Sequence, residues 1–260
     1  MSNNFDLNQN HYVYIKKDNA TLVFIHGVGL NHQMWKPQIE NLNEFSTLAY
    51  DLLGHGKTPC KKDKVNLDDF TNQLNEILKH LKIDKIHLVG FSLGSLIALD
   101  FASKMQTKVD KLILIGTTYK RSVEERSLVI DRFNQAKLNK PISKQALKRW
   151  FTDKYLENNP KTYDLFMNIL NKNPQDHKNF LKAYELFANH EDNAQVIQNI
   201  TSKTLVMTGS DDPGSTPTMS KELIKDLSNS RYVEIKNGKH LCSIECADDV
   251  NMNIRNFINN

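Results

Sequence analysis

Cysteine is scarce: three residues, Cys60, Cys242 and Cys246, in a chain of 260. So low and odd a count excludes a disulfide scaffold and is expected of a protein working in a reducing, cytoplasmic setting. Glycine (10) and proline (7) are also few, which excludes a collagen-like or Pro/Gly-rich disordered chain. No run approaches the roughly 20 apolar residues that a membrane-spanning helix needs. The opening MSNNFDLNQN lacks both the basic and the apolar part of a secretory leader, so no cleaved signal is expected. Charge of one sign is not in excess: 34 Lys plus Arg against 30 Asp plus Glu leave +4, spread along the chain without a basic stripe. Neither a nucleic acid nor a membrane is therefore expected as a partner.

What is present is 39% hydrophobic and 25% charged residues, the mixture of a globular chain, long enough for one large α/β domain or two small ones. Short apolar runs alternate with helical patterns. Strands are expected at Tyr12–Ile15, Thr21–Ile25, Thr47–Tyr50, Lys85–Val89, Lys111–Ile115, Thr204–Met207 and Arg231–Ile235. Helices are expected at Leu67–Leu81, Leu93–Ala102, Met219–Leu227 and Ala247–Ile258. Continuous apolar strands separated by helices predict a mostly parallel sheet covered on both faces. Residues 119–200 break this rhythm. They read as helical, with breaks at Pro141, Asn158-Asn159-Pro160 and Asn173-Pro174, and are too long for a simple crossover. The expectation is a core of residues 1–118 and 201–260, with 119–200 as a helical cap over one end of the sheet.

The strongest local signal is Gly90-Phe91-Ser92-Leu93-Gly94, which follows an expected strand and opens an expected helix. That is the context of a nucleophile elbow, a turn so tight that its flanking positions cannot carry bulk. It would present the Ser92 hydroxyl and aim the first helical amides at a developing negative charge. A serine nucleophile needs a base, and in this arrangement acid and then histidine follow it along the chain. Of nine histidines, only His240, in Asn237-Gly238-Lys239-His240, lies beyond the last expected strand. The acid is expected after Thr204–Met207, where Asp211 and Asp212 compete. Asp212 is favoured, because Pro213 stiffens the turn that would present it. His26-Gly27-Val28-Gly29 follows an earlier strand, and the Val28 and Leu93 amides are the expected pair of oxyanion donors.

Together, His26-Gly27-Val28-Gly29, Asp51-Leu52-Leu53-Gly54-His55-Gly56, the Ser92 elbow, Gly209-Ser210-Asp211-Asp212 and Gly238-Lys239-His240 resemble the α/β-hydrolase family over essentially the whole chain. The resemblance implies an α/β-hydrolase fold, an eight-stranded, mostly parallel sheet with a helical cap insertion, and an acyl-serine intermediate. In that family the turn at Asp51 to Gly56 is structural, so neither Asp51 nor His55 is nominated as catalytic. Within the family the chain is most similar to the 3-oxoadipate enol-lactonase group, at Arg149-Trp150-Phe151-Thr152, Asn159-Pro160, Asp212-Pro213-Gly214-Ser215-Thr216-Pro217 and His240-Leu241-Cys242-Ser243-Ile244-Glu245. It departs from that group at Leu93-Gly94-Ser95 and at Lys239.

The expected function is hydrolysis of a small carboxylic ester or lactone. A hydrolase of C–C bonds in diketones and a non-enzymatic binding protein on the same fold are the alternatives. Dehalogenases are excluded, since they need a carboxylate at position 92. No cofactor is expected, nor a metal, since Cys242 and Cys246 have no second ligand pair. The cap carries Lys120, Arg121, Arg126, Arg132, Lys148 and Arg149. Most should be solvated. One or two arginines facing inward would hold a substrate carboxylate, and Arg149 is the candidate because Trp150 and Phe151 beside it would wall the same pocket.

Overall fold

The computed structural model describes residues 4–138 and 143–260. Pro141, an expected break, lies outside the described residues. Eight strands form a single sheet in the order β1-β2-β4-β3-β5-β6-β7-β8. They are β1 (Asn4–Phe5), β2 (His11–Ile15), β3 (Thr21–Ile25), β4 (Ser46–Tyr50), β5 (Ile86–Phe91), β6 (Val109–Ile115), β7 (Lys203–Gly209) and β8 (Ser230–Ile235). β1–β2 and β2–β4 pair antiparallel, and every other pair is parallel. β1 is the strand that sequence periodicity does not reveal, because two residues are too few to show alternation.

The apolar runs are continuous because the sheet is buried on both faces. In β3, Val23 and Ile25 join one core with Leu88 of β5 and Leu112 and Leu114 of β6, whereas Leu22 and Phe24 join the other with Val89, Ile113 and Ile115. The first core is closed by α2 (Leu67–Leu81), α3 (Leu93–Lys104) and α10 (Pro217–Asp226). The second is closed by α1 (Lys36–Asn41), α11 (Cys242–Glu245) and α12 (Ala247–Asn259). No described helix is long and apolar enough to cross a membrane.

Between β6 and β7 lies an insertion whose described elements are all helices: α4 (Val123–Lys137), α5 (Ser143–Trp150), α6 (Asp153–Asn158), α7 (Pro160–Leu170), α8 (Pro174–Asn189) and α9 (Ala194–Gln198). Its breaks are chemically legible. A Ser122–Glu125 capping box opens α4, and Pro160 and Pro174 sit in the first turns of α7 and α8, where a missing N–H costs nothing. α4 and α8 build a small core of their own from Val129, Phe133, Ala136, Phe180, Tyr184 and Ala188. The insertion is also stitched to the segment around His240. The Leu241 amide donates to the Trp150 carbonyl at 2.9 Å, and the Thr152 amide donates to Glu245 Oε1 at 3.0 Å.

The strand order positions the site. From β3 the chain moves to one side, to β4, and then returns to the other side of β3 as β5. The loops after β3 and β5 therefore diverge at the carboxyl ends of two neighbouring strands, with Ile25 opposite Gly90. Open α/β sheets bind ligands in the crevice at such a point.

Candidate active site

Ser92 sits between β5 and α3 with φ +53° and ψ −116°, a conformation that costs a non-glycine residue about 1–3 kcal/mol. The surroundings over-determine it. A Cβ on Gly90 would lie 2.3 Å from the Gly94 carbonyl oxygen, and a Cβ on Gly94 would lie 2.3 Å from that of Ile25. Both positions must therefore be glycine for the helix to start so close to the sheet. The Ser92 amide donates to Ile115 O at 3.0 Å, and Ser95 Oγ donates to Gly90 O at 2.7 Å, locking the elbow from two sides.

Asp212 and His240 follow the carboxyl ends of the paired strands β7 and β8, which brings residues 28 apart in sequence into contact. His240 Nδ1 lies 2.7 Å from Asp212 Oδ2. The other oxygen, Oδ1, accepts the Gly214 and Ser215 amides at 2.8 and 2.9 Å, and the carboxylate side chain is 0% exposed. A carboxylate only accepts, so this contact assigns the proton to Nδ1 and leaves Nε2 as the free lone pair of neutral His240. The Phe91 ring packs against the imidazole, with centroids 4.8 Å apart. Asp211 is exposed, and among the described residues its carboxylate accepts from Ser210 Oγ alone, at 3.1 Å. Of the two adjacent acids, Asp212 is the one that meets His240.

The Leu93 amide is the first of a new helix and has no partner within it. Among the described residues no hydrogen bond engages the Val28 amide either, while the groups around it are held firmly. His26 Nδ1 contacts Gly27 O at 2.8 Å, and the Gly29 amide donates to His55 Nε2 at 3.0 Å. Burial drives His26 down to about 4 and His55 well below its ordinary range, so both rings are neutral at neutral pH. His55 thus supports the loop, as expected of a structural residue.

Asp51 is structural as well. It takes His11 Nδ1, His32 Nδ1 and the His32 and Lys57 amides within 2.9 Å. Burial pushes its carboxyl up, but these partners outweigh burial and hold it far below the carboxylate range. His11, His32 and Asp51 are the described residues whose ligand atoms lie close enough to hold an ion. Both carboxylate oxygens are already filled by N–H donors.

Ser92, Asp212, His240 and Val28 open onto a cavity of about 360 Å³, the size of a small-molecule site. The insertion forms much of its wall, with Val129, Arg132, Arg149, Trp150, Lys172 and Tyr184 among the lining residues. Arg149 and Trp150 thus reach the cavity, but Phe151 does not. It is fully buried, stacked on Tyr155 at 5.3 Å and against Phe166. Phe151 follows the last residue of α5, where the chain leaves the helix and turns this ring into the second core. Of the other basic residues named from the sequence, all but Arg132 turn away. Lys120 pairs with Asp226, Arg121 and Arg126 donate to the His190 carbonyl, and Lys148 is exposed. Arg132 is the second arginine in the cavity. Sequence spacing could not single it out, because its place on the cavity wall depends on how α4 packs against α8.

Burial, and next the Arg132 charge, lowers the Arg149 guanidinium from its ordinary value. Neither arginine forms an ion pair with a carboxylate among the described residues. The cavity that Ser92 lines therefore also carries two arginines without a carboxylate partner among the described residues.

Comparison with known proteins agrees with this architecture. The chain is 27% identical over 247 residues to (E)-2-((N-methylformamido)methylene)succinate hydrolase of Acinetobacter baylyi, covering 94% of this chain and 92% of that one. It is 23% identical over 241 residues to 3-oxoadipate enol-lactonase 2 of the same organism, covering 92% and 89%. The crystal structure of the enol-lactonase from Burkholderia xenovorans superposes with a TM-score of 0.87 at 24% identity, over 97% of this chain and 98% of that one, a likeness of fold. A family profile described as alpha/beta hydrolase fold spans residues 20–246, and with that match the chain belongs to the α/β-hydrolase family.

Proposed function

We propose that the protein is a serine hydrolase of small carboxylic esters or lactones, acting through an acyl-serine intermediate, with residues 119–200 as its cap. The observation that carries this reading is the contact of His240 Nδ1 with Asp212 Oδ2 at 2.7 Å beside the strained Ser92 elbow. In the reaction, Ser92 Oγ attacks the substrate carbonyl carbon while His240 Nε2 takes the hydroxyl proton. The carbonyl oxygen becomes an oxyanion between the Val28 and Leu93 amides. Collapse re-forms the carbonyl and breaks the bond to the leaving oxygen, which receives the proton from His240. Water then repeats the sequence on the acyl-enzyme, releasing the acid and regenerating Ser92. Asp212 holds the Nδ1–H tautomer and balances the imidazolium throughout. No step calls for a cofactor.

The substrate class is set by the cavity wall. Arg132 and Arg149 offer a partly desolvated cationic pair, without a carboxylate partner among the described residues and suited to one. Relatives named for a substituted succinate and for 3-oxoadipate enol-lactone point the same way. The substrate is accordingly a small ester or lactone bearing at least one carboxylate, and a chain with three free cysteines suits a cytoplasmic setting. A fluorophosphonate probe should label Ser92, and Ser92→Ala should abolish labelling and lower turnover of a lactone and ester panel by about 10⁴-fold with the fold intact. Labelling at another residue, or a Ser92→Ala variant with wild-type turnover, would overturn the reading.

A further inference from the structure

Lys172 lies in the short connection between α7 and α8, half-buried and on the cavity wall. Its ammonium makes no ion pair with a carboxylate among the described residues. Instead, Nζ donates to Ile169 O at 2.7 Å within the insertion and to Gly29 O at 3.0 Å across to the sheet domain, and it stands 5.6 Å from the centre of the Phe180 ring. The Gly29 contact is the informative one. Gly29 follows Val28, and its amide is already fixed by His55. The peptide unit that carries the Val28 amide is thus held by His26 at the Gly27 carbonyl, the next by His55 at the Gly29 amide, and the Gly29–Leu30 unit, whose amide donates back to the Gly27 carbonyl at 3.3 Å, by Lys172 at the Gly29 carbonyl. The first two holds belong to the sheet domain and are present whatever the insertion does. The third is supplied by the insertion.

We propose that Lys172 is a positioning residue: its ammonium ties the Gly29 carbonyl to the insertion and so sets the Val28 amide of the oxyanion hole only when the insertion is seated over Ser92. The proposal rests on the hydrolase reading, because it assigns Lys172 a part in that chemistry. It acts through Gly29 and touches no reacting atom. It also differs from carboxylate binding by Arg132 and Arg149, since its effect extends to substrates that carry no charge.

The tether has a direction with pH. Burial lowers the Lys172 ammonium to about 8, only partly offset by Asp176 of α8 and Asp51 from the turn after β4. Among the described residues its charge also reaches His26 and His55, both already neutral at neutral pH, and His177, Arg132 and Arg149 line the same cavity. A charged donor binds a carbonyl roughly twice as strongly as a neutral one. The hold is therefore strong below about pH 8 and weakens as pH rises through that value.

The test uses a neutral aryl ester, so that substrate charge plays no part, with kcat and KM followed from pH 6.5 to 9.5 for wild type, Lys172→Met and Lys172→Arg. Deleting an oxyanion donor costs about 10²–10³-fold in kcat, so a donor left in place but mispositioned should cost about 10–100-fold. Lys172→Met should lose that much kcat with KM little changed, and wild-type kcat/KM should fall above about pH 8, a limb that Lys172→Met lacks. Lys172→Arg should recover most of the rate and stay active to pH 9.5. Wild-type turnover in Lys172→Met, or an alkaline limb that survives in it, would overturn the proposal. So would a folded Lys172→Arg no better than Lys172→Met. Should Lys172→Met not fold, the wild-type limb and its removal in Lys172→Arg decide alone, and a missing wild-type limb refutes the tether. Should wild type turn over no ester and Ser92 resist labelling, the hydrolase reading fails. Hydrogen exchange of residues 27–29 then decides on the tether itself, with faster exchange in Lys172→Met supporting it and unchanged exchange refuting it.

Discussion

Replacing Asp212 by Asn changes one atom, and the hydrogen bonds around that atom dictate the consequence. Asp212 Oδ1 accepts two backbone amides, from Gly214 and Ser215, while Oδ2 faces His240 Nδ1. An Asn side chain must choose an orientation. Turning its NH₂ toward the two amides would set donor against donor and leave two buried N–H groups unsatisfied, at about 1–3 kcal/mol each. The carboxamide oxygen therefore stays on Gly214 and Ser215, and the NH₂ faces His240. Nδ1 must then accept, the ring proton moves to Nε2, and His240 can no longer take a proton from Ser92. The same inversion in other triads lowers kcat about 10⁴-fold, or about 5.5 kcal/mol of barrier. Packing is untouched, so thermal stability should change little. Asp211→Asn is the control. Asp211 is exposed, and surface substitutions of this kind move energies by about 0.5 kcal/mol or less, about twofold in rate. The assay is kcat and KM on an activated ester, with melting temperatures alongside. Asp212→Asn within tenfold of wild type, or Asp211→Asn as damaged as Asp212→Asn, would refute the tautomer argument.

Two other substitutions probe the scaffold and the cavity wall. Gly94→Ala should lose both activity and stability, because its Cβ would lie 2.3 Å from the Ile25 carbonyl and only backbone movement can relieve the clash. Denaturant melts should show a loss of about 3 kcal/mol or failure to fold, and a stable, active Gly94→Ala would disprove the close-approach requirement. Arg149→Ala should raise KM for an anionic lactone about tenfold or more while leaving a neutral ester of equal size nearly unaffected. An equal change for both, or for neither, would rule out carboxylate binding at that wall.

The sheet was readable because each core strand is a short run of apolar residues with a turn signal at its end, and burial on both faces enforces that pattern. β1 escaped because pairing through Asn4 and Phe5 leaves no periodicity. Ser92, Asp212 and His240 could be nominated because each stands at a strand end with a local chemical mark, glycines around the serine, Pro213 after the acid and Gly238 before the histidine. The insertion lacks such marks. Its helices were visible as helices, yet which faces turn toward Ser92 depends on tertiary packing, as when Phe133 meets Tyr184 at 5.5 Å. Lys172 shows the limit most clearly. In the sequence it is one lysine among many, and only the fold reveals that it spans from the insertion to Gly29.

The two parts of the molecule divide the energetic work, and the division explains where the unpaired charges lie. The sheet domain satisfies its buried charges internally: Asp51 with His11 and His32, Asp212 with His240 and two amides. The insertion leaves Arg132, Arg149 and Lys172 at the cavity without carboxylate partners among the described residues. Burial, and next the Arg132 charge, lowers the Arg149 guanidinium from its ordinary value, and the two arginines repel at the wall they share. On the proposed function, an entering carboxylate would turn that repulsion into two attractions. A neutral ester meets the same Ser92, the same His240 and the same amides, but leaves the arginine repulsion in place. On the proposed function, discrimination between the two would therefore reside in the insertion, and the bond-breaking chemistry at the strand ends.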